Sequence, residues 1–182
     1  MNIANRITLV RVCLVPAFLV IFLAAPFIEW INAWIALVLF VAAAVTDAVD
    51  GYVARKYGLV TNFGKLMDPL ADKFLICSVF IAFLAQGLLP VWAVILFVSR
   101  EFFVSGVRQI MLEKQIIMAA SNWGKIKTGV QITLIVYILL PPPFDFFVLN
   151  PVTFGLVIIT VCVSIWSAVD YVIKNSSLFE EL

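Results

Sequence analysis

Long apolar runs separated by short polar segments fill this sequence and limit the folds that it can adopt. A transmembrane helix needs about 20 predominantly apolar residues. Hydrophobic residues make up 64% of the chain and charged residues 13%, against roughly 25% charged in a soluble domain. We therefore predict an all-α integral membrane protein, with one domain over residues 1–182. The predicted transmembrane helices are six: Leu9–Pro26, a run from Ile31 that stays uncharged to Thr46, Phe63–Ala85, Val91–Glu113, Trp123–Leu140 and Val152–Val172.

The basic residues indicate the orientation of these helices. The segments 27–32, 86–90 and 141–151 contain Glu29 and Asp145 but no Lys or Arg. Cytoplasmic loops are the ones enriched in Lys and Arg, so both termini are predicted to be cytoplasmic, which agrees with an even number of spans. A short N-terminal segment is predicted to lie at the membrane interface, and the alternative is a plain basic anchor. The net charge of +1 provides no field that would favour nucleic acid as a partner.

Four of the eleven acidic residues lie within one 26-residue window, at Asp47, Asp50, Asp68 and Asp72. Residues three or four positions apart share a helix face, so each pair of aspartates is predicted to form one acidic stripe. The connection between the two helices is short, which predicts antiparallel neighbours with the pairs facing each other near the cytoplasmic end. Charges within membrane spans are costly and therefore indicate a functional site.

The four carboxylates indicate a metal site. Carboxylates in a low dielectric repel one another unless positive charge lies between them, and a chain without His offers oxygen ligands suited to Mg²⁺, Mn²⁺ or Ca²⁺. Two divalent ions on four carboxylates would clamp a phosphoryl or pyrophosphate group. Arg55 can add a phosphate contact, and Gly51 and Ala54 allow a ligand to approach closely. The alternative is an ion-pair network of the aspartates with Arg55, Lys65 and Lys73.

The run Asp47-Ala-Val-Asp50-Gly51-Tyr-Val-Ala54-Arg55, followed by Gly64, Asp68 and Asp72, resembles the signature of the CDP-alcohol phosphotransferase family. Every fixed position of that signature is present. The resemblance implies six transmembrane helices, a homodimer and a cytoplasm-facing polar cavity that holds two divalent ions, Mg²⁺ or Mn²⁺. It also implies transfer of a phosphatidyl or related group from a CDP-linked donor to an alcohol, with release of CMP.

The resemblance also implies roles for individual residues. The four aspartates would bind the metals, and Asp72 would also be the general base that takes the proton of the acceptor hydroxyl. The residues expected to contact the CDP moiety are Gly51, Ala54, Arg55, Thr61, Asn5 and Thr8.

Other segments indicate the acceptor. The opening Asn2-Ile-Ala-Asn5-Arg-Ile-Thr8-Leu-Val-Arg11, the run Ser99-Arg100-Glu101 with Arg108, and residues 122–128 resemble bacterial members that use glycerol 3-phosphate. A phosphorylated acceptor needs cations near the site, whereas serine or choline does not. Glu101 and Arg108 share a helix face and could pair. The alternative for each cation is an ordinary positive charge at a cytoplasmic helix end. The predicted ligands of the acceptor phosphate are Arg108, Lys125, Lys127 and Arg100.

The predicted activity is therefore transfer of the phosphatidyl group from CDP-diacylglycerol to sn-glycerol 3-phosphate, at the cytoplasmic face of a bacterial plasma membrane among its lipids. Two alternatives of the same fold remain, a cardiolipin synthase and an inositol-phosphate transferase. A divalent-metal transporter would need polar residues along the outer halves of the helices, and those halves are almost entirely apolar. An aspartate-rich prenyltransferase would place its acidic motifs on well-separated helices.

Overall fold

The computed structural model describes five stretches of the chain: residues 3–24, 30–57, 62–113, 122–140 and 150–175. Side chains are described over residues 13–23, 33–46, 73–111, 122–140 and 150–175. The five stretches form helices and contain no strand. The helices are α1 (Ile3–Ala24), α2 (Trp30–Tyr57), α3 (Asn62–Ala85), α4 (Val91–Glu113), α5 (Asn122–Leu139) and α6 (Pro151–Lys174).

The helix positions agree closely with the sequence prediction, except at the start of α1 and at the end of α2, which continues past Thr46 to Tyr57. Helix α4 has the predicted bounds, and the start of α3 differs by one residue. Helix α1 begins at Ile3, although the apolar run begins only at Leu9, so much of the predicted interfacial segment continues the first helix. Pro16 lies inside α1. A proline inside a helix leaves one carbonyl without its usual intrahelical partner.

Local sequence signals explain where two of the helices begin. Gly87 has a φ of +70°, a left-handed conformation that glycine adopts without steric cost, and it follows the end of α3. The carbonyl of Pro90 then accepts the first backbone hydrogen bond of α4, from Ala93 at 3.1 Å. At α6, the side chain of Asn150 accepts from the backbone N–H of Val152 at 2.9 Å, and Pro151 occupies the first turn.

The described contacts divide into two compact units, which we call the N-terminal unit (α1–α3) and the C-terminal unit (α4, α6 and nearly all of α5). The prediction of one domain over residues 1–182 stays a prediction. In the N-terminal unit, α1 packs against both α2 and α3. Phe22 of α1 stacks on Phe18 and meets Phe83 of α3, with ring centroids 5.4 Å apart in both pairs. Aromatic packing therefore joins α1 to α3.

In the C-terminal unit, α4 packs against α6, and Trp123 of α5 meets Trp166 of α6 edge-on at 6.2 Å. Helix α6 is polar on its buried face and apolar on its exposed face, the reverse of a helix in a water-soluble protein. Small polar residues at helix contacts and apolar residues outside are typical of proteins in lipid. Its buried residues are Thr153, Val157, Thr160, Val161, Ser164, Ser167 and Tyr171, and its exposed ones include Val152, Phe154, Ile159, Ile165, Trp166 and Ile173.

Among the described residues, α6 is the one helix that is long and apolar enough to cross a membrane by itself. Shorter apolar stretches lie within α1, α2 and α3, at Cys13–Leu23, Ala33–Thr46 and Lys73–Ala85. The six helices are thus observed, and their six membrane crossings remain a prediction.

Candidate functional site

The four aspartates of the signature lie on two helices of the N-terminal unit. Asp47 and Asp50 belong to the last three turns of α2, and Asp68 and Asp72 to the first three turns of α3. The backbone is helical at all four positions, so each pair has the spacing that puts two residues on one helix face. The side chains of all four lie outside those that the structure describes, and their approach to one another stays a prediction.

The residues predicted to contact the CDP moiety are distributed in the same way. Asn5 and Thr8 lie in the first turns of α1, while Gly51, Ala54 and Arg55 lie in the last two turns of α2. Their side chains are not among the described ones. Thr61 lies outside the described residues altogether.

The chemistry of this donor set fits hard divalent cations, because carboxylate oxygens are the ligands that Mg²⁺ and Mn²⁺ prefer. Two carboxylates from each of two helices would also supply the negative charge that two such ions balance. No group of three or more Asp, Glu or Cys residues suited to a metal occurs among the described side chains. The signature aspartates are outside that set, so they stay the predicted ligands.

The C-terminal unit contains a buried ionic cluster, formed by Arg100, Glu101, Lys127 and Ser167. Glu101 is 7% exposed and Lys127 5%, and the ammonium of Lys127 donates to Glu101 Oε1. Arg100 Nη1 donates to the same oxygen at 3.4 Å, and Arg100 Nη2 donates to Ser167 Oγ at 2.6 Å. The cluster therefore joins α4, α5 and α6. Its two cations and one carboxylate leave a net charge of +1 in the interior of the unit.

The four predicted phosphate ligands fall into two classes. Arg100 and Lys127 are turned inward and paired with Glu101. Arg108 and Lys125 are exposed, and neither has a hydrogen bond or an ion pair among the described residues. The suggested pairing of Glu101 with Arg108 is not the one found, because the carboxylate of Glu101 bonds Lys127 and Arg100 instead.

Sequence reasoning missed Ser167 and the polar interior around it. Along α6 the buried polar residues Thr153, Thr160, Ser164 and Ser167 recur every three, four or seven positions, and this periodicity is the signal that could have revealed one polar face. Gln131 of α5 is also buried, at 1% exposure. Four buried polar atoms have no partner among the described residues: Arg100 Nε, Gln131 Nε2, Thr153 Oγ1 and Ser164 Oγ. All four atoms belong to the C-terminal unit. Burying a polar atom without a hydrogen-bond partner costs free energy, so these atoms lower the stability of that unit.

Comparison with known proteins gives matches over most of the chain. The sequence profile described as CDP-alcohol phosphatidyltransferase matches residues 1–166. The CDP-diacylglycerol–glycerol-3-phosphate 3-phosphatidyltransferase of Bacillus subtilis strain 168 is 43% identical over 150 residues, which cover 76% of this chain and 77% of that protein. The protein of the same name from Rickettsia bellii is 37% identical over 71% of this chain and 70% of its own length. A probable phosphatidylglycerophosphate synthase of Mycobacterium tuberculosis is 38% identical over 77% of this chain and 66% of its own length.

Proposed function

This chain belongs to the CDP-alcohol phosphatidyltransferase family, and from that premise we propose that it transfers the phosphatidyl group of CDP-diacylglycerol to glycerol 3-phosphate. The products are phosphatidylglycerophosphate and CMP. The observation that carries the proposal is the similarity to relatives whose names specify this donor and this acceptor, because it extends over most of each chain. The complete aspartate signature of α2 and α3 supports a CDP-linked donor.

We assign the donor to the N-terminal unit. Asp47, Asp50, Asp68 and Asp72 would hold two divalent ions, Mg²⁺ or Mn²⁺, which supply positive charge to the pyrophosphate when bound. Arg55 would donate to a phosphate oxygen of the CDP moiety, since a guanidinium offers two parallel donors. The remaining contacts to that moiety would come from Gly51, Ala54, Thr61, Asn5 and Thr8.

We assign the acceptor phosphate to the cations of the C-terminal unit. Arg108 and Lys125 are exposed and can bind the phosphate directly, while Arg100 and Lys127 add positive potential from the interior. Lys125 also lies in the first turn of α5, where unpaired backbone N–H groups favour an anion.

The proposed step is an in-line displacement at phosphorus. A hydroxyl oxygen of glycerol 3-phosphate attacks the phosphorus that carries the diacylglycerol, and the bond from that phosphorus to the bridging oxygen of CMP breaks. The proton of the hydroxyl passes to the carboxylate of Asp72, which acts as general base. CMP leaves with the electron pair of the broken bond.

We also propose that the protein is a homodimer in a bacterial plasma membrane, with six spans, both termini in the cytoplasm, and the start of α1 at the interface. The apolar exposed face and polar buried face of α6 support a lipid environment. Cysteine labelling in intact cells tests the orientation. A cysteine that replaces Asp145 should react with an impermeant reagent from outside, and one that replaces Ser176 only after lysis. The opposite pattern would contradict this topology.

An acceptor panel tests the proposed activity. Purified protein in detergent micelles is supplied with CDP-diacylglycerol, Mg²⁺ and one acceptor at a time, and the release of CMP is measured. Glycerol 3-phosphate should support release, whereas serine, inositol phosphate and phosphatidylglycerol should not. Release with phosphatidylglycerol or inositol phosphate, and none with glycerol 3-phosphate, would replace the proposed acceptor.

A further inference from the structure

The buried carboxylate of Glu101 needs an explanation that the proposed function does not give. Its neighbours in the C-terminal unit are cations, and an acceptor phosphate bound by Arg108 and Lys125 would be repelled by a nearby carboxylate. The acceptor phosphate alone would therefore favour a neutral side chain at this position, whereas the inward-turned Arg100 and Lys127 require a counter-ion. Burying an ionised carboxylate is also costly unless it is paired and hydrogen-bonded.

What Glu101 does provide is a connection between helices. Lys127 of α5 donates to Glu101 Oε1 of α4, across 26 positions of sequence. Arg100 extends the connection to Ser167 of α6, across 67 positions. Ser105 Oγ donates to the backbone carbonyl of Glu101 at 2.5 Å, which adds a local hydrogen bond within α4.

The two exposed cations lie on the same side of this connection. Arg108 follows Glu101 by seven residues, about 10 Å along the axis of α4, in the direction of residues 114–121. Lys125 precedes Lys127 by two residues and so is also nearer to residues 114–121. A shift of α5 along α4 would change the distance between Arg108 and Lys125. A single phosphate group can bind both cations only if that distance stays within a narrow range.

We propose that Glu101 is a positioning residue for the acceptor site. Through Lys127 it fixes α5 against α4, so that Arg108 and Lys125 are held at the separation that one phosphate group requires. The inference rests on the proposed function, since it assumes a phosphorylated acceptor. Glu101 touches neither substrate in this arrangement and acts through the two cations.

The test is the E101Q variant, with both substrates varied in turn. Gln is nearly isosteric with Glu but removes the negative charge, so the cluster changes from +1 to +2. If Glu101 acted only through its charge, the KM for glycerol 3-phosphate should fall. A positioning role predicts the opposite, a KM raised by about 10-fold or more, the size expected when a charge-assisted contact is lost. The kcat and the KM for CDP-diacylglycerol should change by less than about 3-fold.

Two further variants keep the test decisive. E101D retains the charge but shortens the side chain by one methylene, so the KM for glycerol 3-phosphate should lie between those of wild type and E101Q. This variant decides the matter if E101Q fails to fold. The matched control is K174Q, which removes another carboxylate–ammonium pair of the same unit, Lys174 Nζ to Asp170 Oδ1 at 2.8 Å within α6. It should leave all three constants unchanged.

The outcomes separate the two hypotheses. If the wild type releases no CMP with glycerol 3-phosphate, the proposed function fails and this inference fails with it. If the wild type is active but E101Q has an unchanged or lower KM for glycerol 3-phosphate, the activity stands and the positioning role is overturned. An E101D variant equal to the wild type, where E101Q does not fold, overturns it as well.

Discussion

Among the described side chains, the two units differ in which residues they bury. Described core contacts of the N-terminal unit are aromatic, such as Phe22 between Phe18 and Phe83, and its acidic signature lies toward the ends of α2 and α3. The C-terminal unit instead has Glu101, Lys127 and a row of Ser and Thr residues in its interior. An aromatic side chain can pack against various apolar neighbours of suitable size, whereas a buried ion requires its counter-ion at one position. On the proposed assignments, the first unit would hold its shape by aromatic packing while its acidic residues bind ligands, and the second would use charge to set geometry.

The largest expected effect concerns the divalent ions assigned to the N-terminal unit. Removing them with a chelator should abolish CMP release, because four carboxylates without counter-charge would repel the pyrophosphate. Restoring Mg²⁺ or Mn²⁺ should restore the activity. Activity that persists in excess chelator would contradict the two-metal assignment. It would also remove the basis for assigning the donor to the N-terminal unit and the acceptor phosphate to the C-terminal unit.

Substitution of one signature aspartate should come next in size. Asp68→Asn should lower kcat by roughly 1000-fold, since losing a metal ligand removes several kcal/mol of transition-state stabilisation. The melting temperature should be unchanged or raised, because repulsion among the remaining aspartates falls. A variant that loses its activity through unfolding, seen as a lower melting temperature, would mean that the carboxylate is structural.

The cations of the C-terminal unit should have a smaller and more selective effect. Arg108→Ala and Lys125→Ala should each raise the KM for glycerol 3-phosphate by about 10- to 100-fold, as expected for a lost charge-assisted contact. The KM for CDP-diacylglycerol should change little. Arg55→Ala should do the reverse and serves as the matched control on the other unit. Unchanged acceptor KM values in both C-terminal variants would favour an unphosphorylated alcohol.

The smallest effect on function should come from the aromatic core. Phe22→Ala should lower the free energy of unfolding by about 3–5 kcal/mol, the usual cost of a buried phenyl cavity. Both KM values should stay within about 2-fold of wild type at temperatures where the variant is folded. Thermal unfolding and steady-state kinetics on one preparation measure the two quantities. A selective rise in the acceptor KM would show that the two units do not divide stability and function in this way.

Most of the helix bounds could be predicted from the sequence. Helix α4 has the bounds that its apolar run and the Gln86–Pro90 turn predict, and α6 begins within one residue of the prediction. These signals are local, since apolar length, glycine and proline act on the nearest turns of the chain. Two bounds differ substantially from the apolar runs. Helix α2 continues past Thr46 to Tyr57, and α1 begins at Ile3, because nothing in residues 3–8 ends a helix although those residues are polar enough to end an apolar run.

The chemistry of the two units was predictable to different degrees. The aspartate signature predicted the family on its own, because its fixed spacing lies within two consecutive helices, and the family is confirmed over residues 1–166. Basic residues gave no such information about their partners. The sequence alone does not show which of the four cations are buried. In the structure, Arg100 and Lys127 are turned inward, and Arg108 and Lys125 are exposed.

The sequence by itself therefore determined the helices, the family and the four aspartates that are predicted to bind metal. The tertiary structure decided that Lys127 and Arg100 share the carboxylate of Glu101 and that Arg108 and Lys125 face outward. The physical reason is the range of the interactions. Helix formation depends on neighbours within a few residues, whereas the pairing of Lys127 with Glu101 and of Arg100 with Ser167 depends on how separate helices pack.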